Sequence, residues 1–376
     1  MADSRLVVSL GLNDPPHATR NQGMLCVAAS AAAVPPRVAE QAFRPPERSL
    51  LETVRFLGRR FPDARLRETP VLRAAELDTR ADSTGSTRVW LALEALQVTG
   101  SFKVRGALVA LDANRGRGHV VAASAGNHGA GVAYAALTLG LGATIVVPRT
   151  APRAKRDKIT AWGAELVVAA SDHYDDAEAL AKELAATQGY AFVSPYDDRD
   201  VVLGNGGSLG FELVRALGGV PERVLAPFGG GGLATGLSWA LWAETDGPFE
   251  PTVWGVQSEA SCAMATSLQR GVAVERLASG GRTLAEGLEG GISPEAFARA
   301  RFAVGGVVVA TEAQIAAAMA HAYREMGLVL EGSAAVALAP ILCGLPEKLR
   351  GGDLVVVLTG RNVDRDRLES VLAAAS

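Results

Sequence analysis

Three short segments carry residue types that can do chemistry, each where an apolar β-type run gives way to an Ala/Leu-rich helical run. The first is Thr99-Gly100-Ser101-Phe102-Lys103-Val104-Arg105. A lysine that opens a helix sits near the positive end of the helix dipole and partly out of water. Both influences disfavour its ammonium, so such a lysine can present the neutral amine that an imine requires. The plainer alternative is a solvated lysine with Ser101 as the helix cap. The second segment is Ser124-Ala125-Gly126-Asn127-His128-Gly129. Backbone amides at a strand-to-helix turn can take a carboxylate, and the Asn127 and His128 side chains offer further hydrogen bonds. Its alternative is an ordinary capped turn with a structural histidine. The third, Gly229-Gly230-Gly231-Gly232-Leu233, lets consecutive N–H groups turn inward onto an anion, with a helix N-terminus adding its dipole. A phosphate suits that nest; a loop that binds nothing is the other reading.

No Gly-Lys-Ser/Thr follows the glycines, which removes a Walker A loop. The next strand, Val253-Trp254-Gly255-Val256, ends in Gln257 where a dinucleotide fold would want an acidic residue for a ribose, so an NAD-linked reading is weak. A phosphate-bearing cofactor without a ribose fits better. Further along, the apolar run Leu354–Leu358 delivers Thr359-Gly360-Arg361-Asn362. A hydroxyl at a strand end can bond a ring nitrogen without charging it, or can simply end the strand. Glu331 opens an Ala-rich segment, where it could be no more than a first-turn partner of the dipole. His-Glu-x-x-His, Gly-x-Ser-x-Gly and clustered Cys/His ligands are absent from the sequence, which excludes several hydrolase classes, and no structural zinc is expected.

These segments must be held by alternating strands and helices. The apolar β-rich runs predict strands over Val89–Leu93, Val120–Ala123, Thr144–Val147, Leu166–Val168, Val224–Ala226, Val253–Val256 and Leu354–Leu358. Helical patterns cover Ser49–Phe61 (Ser49 as cap), Lys103–Ala113, Gly129–Leu139, Lys155–Trp162, Asp175–Thr187, Gly232–Glu244, Glu312–Met326 and Gly332–Leu342. Such alternation predicts an α/β protein built on doubly wound parallel sheets. Residues 1–47 are rich in Ala and Pro, with Pro-Pro pairs that block regular helix, and read as an extension. The cluster Asp197–Asp200 followed by Gly204, Gly206 and Gly207 suggests a crossing between domains.

Composition sets the outer bounds. The chain has 376 residues, 48% hydrophobic, and a net charge of −3 from 37 basic and 40 acidic side chains, which excludes general disorder and a broad polycationic surface for nucleic acid. Its 3 cysteines are odd in number and lie in no Cys-x-x-Cys, as expected of a cytoplasmic protein without a disulfide framework. The N-terminus lacks the basic stretch and long apolar core of a signal peptide. The segment from Gly118 to Pro148 carries no Asp, Glu, Lys or Arg, yet its Asn127, His128 and glycines suit two buried strands and a helix better than a membrane span.

In this order, from about Leu66 to Asp364, the motifs resemble the serine/threonine dehydratase group of fold-type II (tryptophan synthase β-like) pyridoxal-phosphate enzymes. The resemblance implies that Lys103 links to the cofactor and later exchanges protons at the substrate α-carbon. It implies that Gly229, Gly230, Gly231, Gly232 and Leu233 hold the phosphate, that Asn127 bonds the ring oxygen, and that Phe102 lies against the ring. Thr359 would face the ring nitrogen, Glu331 would sit beside the ring, and Ser124, Ala125, Gly126, Asn127 and His128 would receive the substrate carboxylate. The implied activity is α,β-elimination on a β-hydroxy amino acid such as L-threonine or L-serine, giving a 2-oxo acid and ammonia, in a homodimer. A large cofactor domain over 48–116 and 201–376 would carry a small mobile substrate domain over 117–200.

Several positions depart from that pattern. Position 125 is Ala where related racemases carry a serine, which argues for elimination. Gln257 and Ala263 replace acidic residues of relatives that bind a divalent cation, Asn205-Gly206-Gly207-Ser208 loosens a Gly-Gln-Gly-Thr segment, and Arg361 replaces a glycine. β-Replacement on the same cofactor and a non-catalytic binding protein on the same scaffold are the rival readings.

Overall fold

The computed structural model describes residues 25–28, 45–245, 250–277 and 282–375. The extension expected over 1–47 lies largely outside them. Eleven strands among the described residues form two sheets. The larger holds seven: β1 (Leu25–Ala28), β2 (Val71–Arg73), β3 (Thr87–Ala92), β8 (Arg223–Pro227), β9 (Val253–Ser258), β10 (Gly306–Ala310) and β11 (Gly352–Val357), in the order β1-β10-β9-β8-β11-β3-β2. The smaller holds β4 (His119–Ala123), β5 (Gly142–Val147), β6 (Glu165–Val168) and β7 (Ala191–Phe192), in the order β6-β5-β4-β7. All pairs of the small sheet and the five inner strands of the large one run parallel, as the alternation predicts. The edges differ. β1 against β10 and β2 against β3 are antiparallel.

Burial explains the arrangement. Leu354, Val355, Val356 and Val357 of β11 are all fully buried, the continuous apolar run of a strand covered on both faces. The labelled helices are α1 (Lys103–Ala113), α2 (Asn127–Leu139), α3 (Arg153–Thr160), α4 (Tyr174–Gln188), α5 (Ser208–Leu217), α6 (Gly232–Ala243), α7 (Ala263–Arg270), α8 (Pro294–Ala303), α9 (Glu312–Arg324) and α10 (Arg365–Ala374). α1 covers its predicted span, and the other predicted helices with a counterpart here differ by a few residues at their ends.

Two predicted helices are broken. Ser49–Phe61 becomes Arg48–Glu52 and Leu57–Arg60, with Glu47 rather than Ser49 at the N-cap. Between them the Val54 and Arg55 N–H groups bond three residues back, to Leu51 and Glu52, while the Thr53 hydroxyl bonds the Leu50 carbonyl at 2.7 Å. The β-branched Thr53-Val54 pair and a local hydroxyl bond both compete with helix there. Val54, Leu57 and Phe61 are nonetheless buried, as the pattern requires. Gly332–Leu342 divides into Gly332–Ala335 and Ala339–Cys343, because Pro340 has no N–H to continue the ladder and fits only the first turn of a new helix.

One close packing fixes the geometry of the site. Leu203–Gly207, in the stretch expected as a crossing between domains, is a widened helical turn running directly into α5. It presses against α6 so closely that a Cβ on Gly206 would lie 2.2 Å from the Leu233 carbonyl oxygen, and one on Gly236 would lie 2.3 Å from that of Val202. The Asn205 side chain also accepts from the Gly106 N–H at 2.8 Å. The helix behind the glycine loop is thereby locked to the helix that carries Lys103.

Candidate active site

The chemistry-bearing segments meet at the C-terminal ends of parallel strands, where open α/β sheets bind ligands. β3 leads to Lys103, β8 to the glycine loop, β11 to Thr359, and β4 of the smaller sheet to Ser124–His128.

Lys103 is the first residue of α1, but Ser101 does not cap it. Ser101 forms a β-bridge with Gly360, and the Phe102 N–H donates to the Thr359 carbonyl at 3.1 Å. The lysine and threonine segments are thus stitched together by main chain. The Ser101 hydroxyl is buried and has no hydrogen-bond partner among the described residues. Lys103 is half-buried; its Nζ donates to the Pro195 carbonyl at 3.3 Å and lies 5.1 Å from the centre of the Phe102 ring. Burial draws its pKa down to about 8, against the opposing pull of the Glu331 carboxylate. Burial thus makes the neutral amine easier to reach than in an ordinary lysine.

Two residues on, Arg105 is fully buried between two carboxylates. Its Nε donates to Glu94 at 2.7 Å and its Nη2 to Glu212 at 2.7 Å, with Thr69 at 2.8 Å and Ser208 at 3.1 Å completing the fork. Burial alone would raise the Glu212 carboxyl, but Arg105 outweighs it and holds it below the usual carboxylate range. This network pins the first turn of α1 to α5, and with it the direction in which Lys103 leaves the helix.

From the smaller sheet, α2 starts at Asn127, and the Ala130 N–H is the first to bond back, to the Gly126 carbonyl at 3.1 Å. The amides ahead of it are the ones a helix N-terminus leaves for an anion. The Ser124 hydroxyl accepts from the Gly126 N–H at 3.1 Å, which tightens the turn; Ala125 is half-buried and Gly126 exposed. Asn127 donates from Nδ2 to Glu331 at 2.7 Å and accepts at Oδ1 from Asn362 at 2.6 Å. Burial raises Glu331 to about 7, against the Asn127 bond and the Lys155 and Lys158 charges. His128 faces the other way. Its ring is buried, with Nε2 3.0 Å from the Val193 carbonyl, and burial, reinforced by the Lys103 charge, lowers it to about 3. A carboxylate at this turn would meet the main chain of His128, not its imidazole.

The glycine loop follows β8 and Phe228, and Gly231 has φ +82°, a conformation that side chains rarely adopt. A Cβ on Gly231 would lie 2.6 Å from Ala300 Cβ, and one on Gly230 would lie 2.8 Å from Tyr196 Cβ. Leu233 is buried and can offer only main chain, and Thr359 is buried at the end of β11. Gln257, where a dinucleotide fold would hold a ribose, braces the loop instead. Its Nε2 donates to the Phe228 carbonyl and its Oε1 accepts from the Ala265 N–H, both at 2.9 Å.

This donor set fits pyridoxal phosphate. A glycine loop whose Gly230 and Gly231 leave no room for a Cβ stands ahead of the helix α6, a lysine amine of lowered pKa opens α1, and a buried hydroxyl ends β11 between them in the sheet. Among the described residues no group of three His, Cys, Asp or Glu is placed to hold a metal ion.

Two residues that sequence reasoning passed over reach the site from α3. Lys158 donates from Nζ to the Thr99 carbonyl at 3.0 Å and to Asn362 Oδ1 at 2.5 Å. Lys155 pairs with Glu286 at 2.9 Å, and Arg367 bonds the other oxygen of that carboxylate. In sequence the run Lys155-Arg156-Asp157-Lys158 reads as a solvated helix face, and no local signal sets either lysine apart.

Comparison with known proteins agrees with this geometry. Residues 63–360 match the family of pyridoxal-phosphate dependent enzymes. A putative threonine dehydratase of Sinorhizobium fredii is 37% identical over 285 residues, covering 74% of this chain and 83% of its own. A catabolic L-threonine dehydratase of Staphylococcus aureus is 34% identical over 317 residues, covering 82% of this chain and 87% of its own. Among solved structures, the processed form of threonine deaminase isoform 2 from Solanum lycopersicum superposes with a TM-score of 0.78 at 28% identity, covering 94% of this chain and 97% of that one.

Proposed function

The chain belongs to the family of pyridoxal-phosphate dependent enzymes, and from that premise we propose that it is an ammonia-lyase that removes water from a β-hydroxy amino acid of the L-threonine or L-serine type. The products are a 2-oxo acid and ammonia. When bound, the cofactor supplies an electron sink that makes the substrate α-proton acidic. Lys103 holds the cofactor through its amine and takes the α-proton at Nζ, the role its depressed pKa suits. Gly229–Leu233 would hold the phosphate with main-chain amides, and Phe102 would lie against the ring. Thr359, buried at the end of β11, would present a neutral hydroxyl to the ring nitrogen and so would not add a charge there. Ser124–His128 receive the substrate carboxylate with main-chain amides at the start of α2. Asn127 donates its amide to the ring oxygen.

Residues 117–200 act as the small unit that closes over the substrate and excludes water, against a large unit of 48–116 and 201–376. The observation that carries the reading is the Lys103 amine, drawn down to about 8 at the strand ends where a glycine nest and a helix N-terminus also open. Ala125 lacks a hydroxyl that could serve as an acid or base, which supports elimination over racemisation.

The test is product identity. The loaded protein with L-threonine should release 2-oxobutanoate and ammonia in equal amounts, with no D-threonine by chiral chromatography and no thioether when a thiol is added. Accumulation of D-threonine or of a thiol adduct in place of the oxo acid would overturn it. We also propose a cytoplasmic homodimer. Free Cys262 and Cys343 support the compartment, the family resemblance supports the dimer, and light scattering on the purified protein tests the latter.

A further inference from the structure

Lys158 lies on α3, beside the smaller sheet, yet its ammonium ends on the large-sheet side of the crevice, on the Thr99 carbonyl and the Asn362 side chain. From there an unbroken line of hydrogen bonds runs to Asn127. Asn362 donates from Nδ2 to Asn127 Oδ1 at 2.6 Å and to the Thr99 carbonyl at 3.1 Å, and Asn127 donates from Nδ2 to Glu331 at 2.7 Å. Asn362 is admitted by a glycine: a Cβ on Gly100 would lie 2.5 Å from Asn362 Oδ1, and Gly100 has φ +79°.

The direction of this line is set by the donor at its start and by the acceptors along it. An ammonium can only donate, so Asn362 must turn its oxygen to Lys158 and its NH2 away. Asn127 must then accept at Oδ1, which leaves its NH2 as the end that faces Glu331 and the site. A primary amide read alone could point either way; here the Lys158 ammonium, which only donates, and the Thr99 carbonyl, which only accepts, turn Asn362 the same way, and the Glu331 oxygen takes the Asn127 NH2 at the far end. We infer that Lys158 is a positioning residue, which together with the Thr99 carbonyl holds Asn362, and through it the Asn127 amide, so that a donor faces the cofactor's ring oxygen, and which at the same time ties α3 to the lysine-bearing segment. The inference rests on the pyridoxal-phosphate reading above. Lys158 is half-buried, and burial lowers its pKa, with the Glu331 carboxylate opposing and Arg361 assisting. The other charges about the line are Lys155, which acts on Glu331, and Lys103.

Three variants test the relay, each loaded with pyridoxal phosphate and checked for an unchanged circular dichroism spectrum. In Lys158→Met the line loses its cation, and in Lys158→Glu its first member becomes an acceptor, which favours the reversed order with Asn127 presenting oxygen to the ring. Lys158→Arg keeps a group that only donates. Two quantities are read, cofactor affinity by equilibrium dialysis and the pH midpoint of the visible band of the lysine-linked cofactor. Lys158→Met should bind about ten-fold more weakly, the loss of one charge-assisted bond. Its midpoint should rise by about half a unit or more, because a nearby cation and a donor to the ring oxygen are both lost. Lys158→Glu should be worse on both counts, and Lys158→Arg should stay within about three-fold of the parent.

Unchanged affinity and midpoint in both Lys158→Met and Lys158→Glu would overturn the relay. An arginine variant as impaired as the methionine one would do the same, since a merely structural side chain gives no rescue by charge. If one variant fails to fold, the other two still decide. A parent protein that takes up no cofactor would instead overturn the pyridoxal-phosphate reading on which the relay stands.

Discussion

Arg105→Met removes the cation from a site where Arg105 and Glu94 are fully buried and Glu212 nearly so. The guanidinium makes two bonds to each carboxylate, at 2.7 and 2.9 Å in both cases, and bonds to Thr69 and Ser208 besides. Its loss leaves two carboxylates without a cation in a site closed to water. Breaking a buried ion pair from one side costs about 3–5 kcal/mol. At about 2.1 cal/mol/K per residue, a chain of 376 residues shifts its melting temperature by only about 1.3 °C per kcal/mol, so the expected drop is roughly 4–6 °C. Thermal unfolding by circular dichroism measures it.

The pH dependence carries the cause. In the parent, the Glu212 pKa is lowered on folding, so its contribution is present above the unfolded value and lost as pH falls through the folded one. In the variant the burial of Glu212 is opposed only by the Thr69 hydrogen bonds, so its carboxyl moves up, and the deficit is smallest in acid and grows as pH rises. The triple variant Arg105→Met/Glu94→Gln/Glu212→Gln removes both stranded charges and should recover most of the loss. A single variant within about 2 °C of the parent, or a triple variant no better than the single, would refute the reasoning.

Other consequences are as specific. The rate at which the apo protein captures pyridoxal phosphate should rise with pH about a midpoint near 8, well below that of an ordinary lysine, and stopped-flow absorption reads it directly. Lys103→Ala should abolish the visible band and lower turnover by about 10³-fold or more. Gly231→Ala forces a side chain into φ +82° and against Ala300, so cofactor affinity should fall about ten-fold or more by equilibrium dialysis. Gln257→Ala removes both braces of the glycine loop and should weaken cofactor binding several-fold while the overall fold persists.

The sequence made legible what is set by short-range pattern. The apolar runs that became β4, β5, β8, β9 and β11 are buried on both faces, and that burial is what makes them continuous and easy to read. The glycine loop, the Lys103 helix and the Ser124–His128 turn were legible because each junction needs its residue types locally. Edge strands β1 and β2 went unseen. β2 is a three-residue strand whose Leu72 stands half exposed, so it carries no periodic signal. Within the site, the inward turn of His128 is set by the Val193 carbonyl, 65 residues away in sequence. The Lys158 contact depends on how α3 meets Asn362, 204 residues on. A basic helix face gives no sign of which lysine turns inward, because the deciding partners are supplied by the tertiary fold.

The central claim is a lysine-linked pyridoxal phosphate that eliminates from a β-hydroxy amino acid. Its most direct test is the visible absorption spectrum of the purified, cofactor-loaded protein before and after L-threonine. A band absent from Lys103→Ala should shift on mixing and recover as 2-oxobutanoate and ammonia accumulate together. A parent with no such band after soaking in pyridoxal phosphate, or a band that answers neither L-threonine nor any other β-hydroxy amino acid, would contradict it.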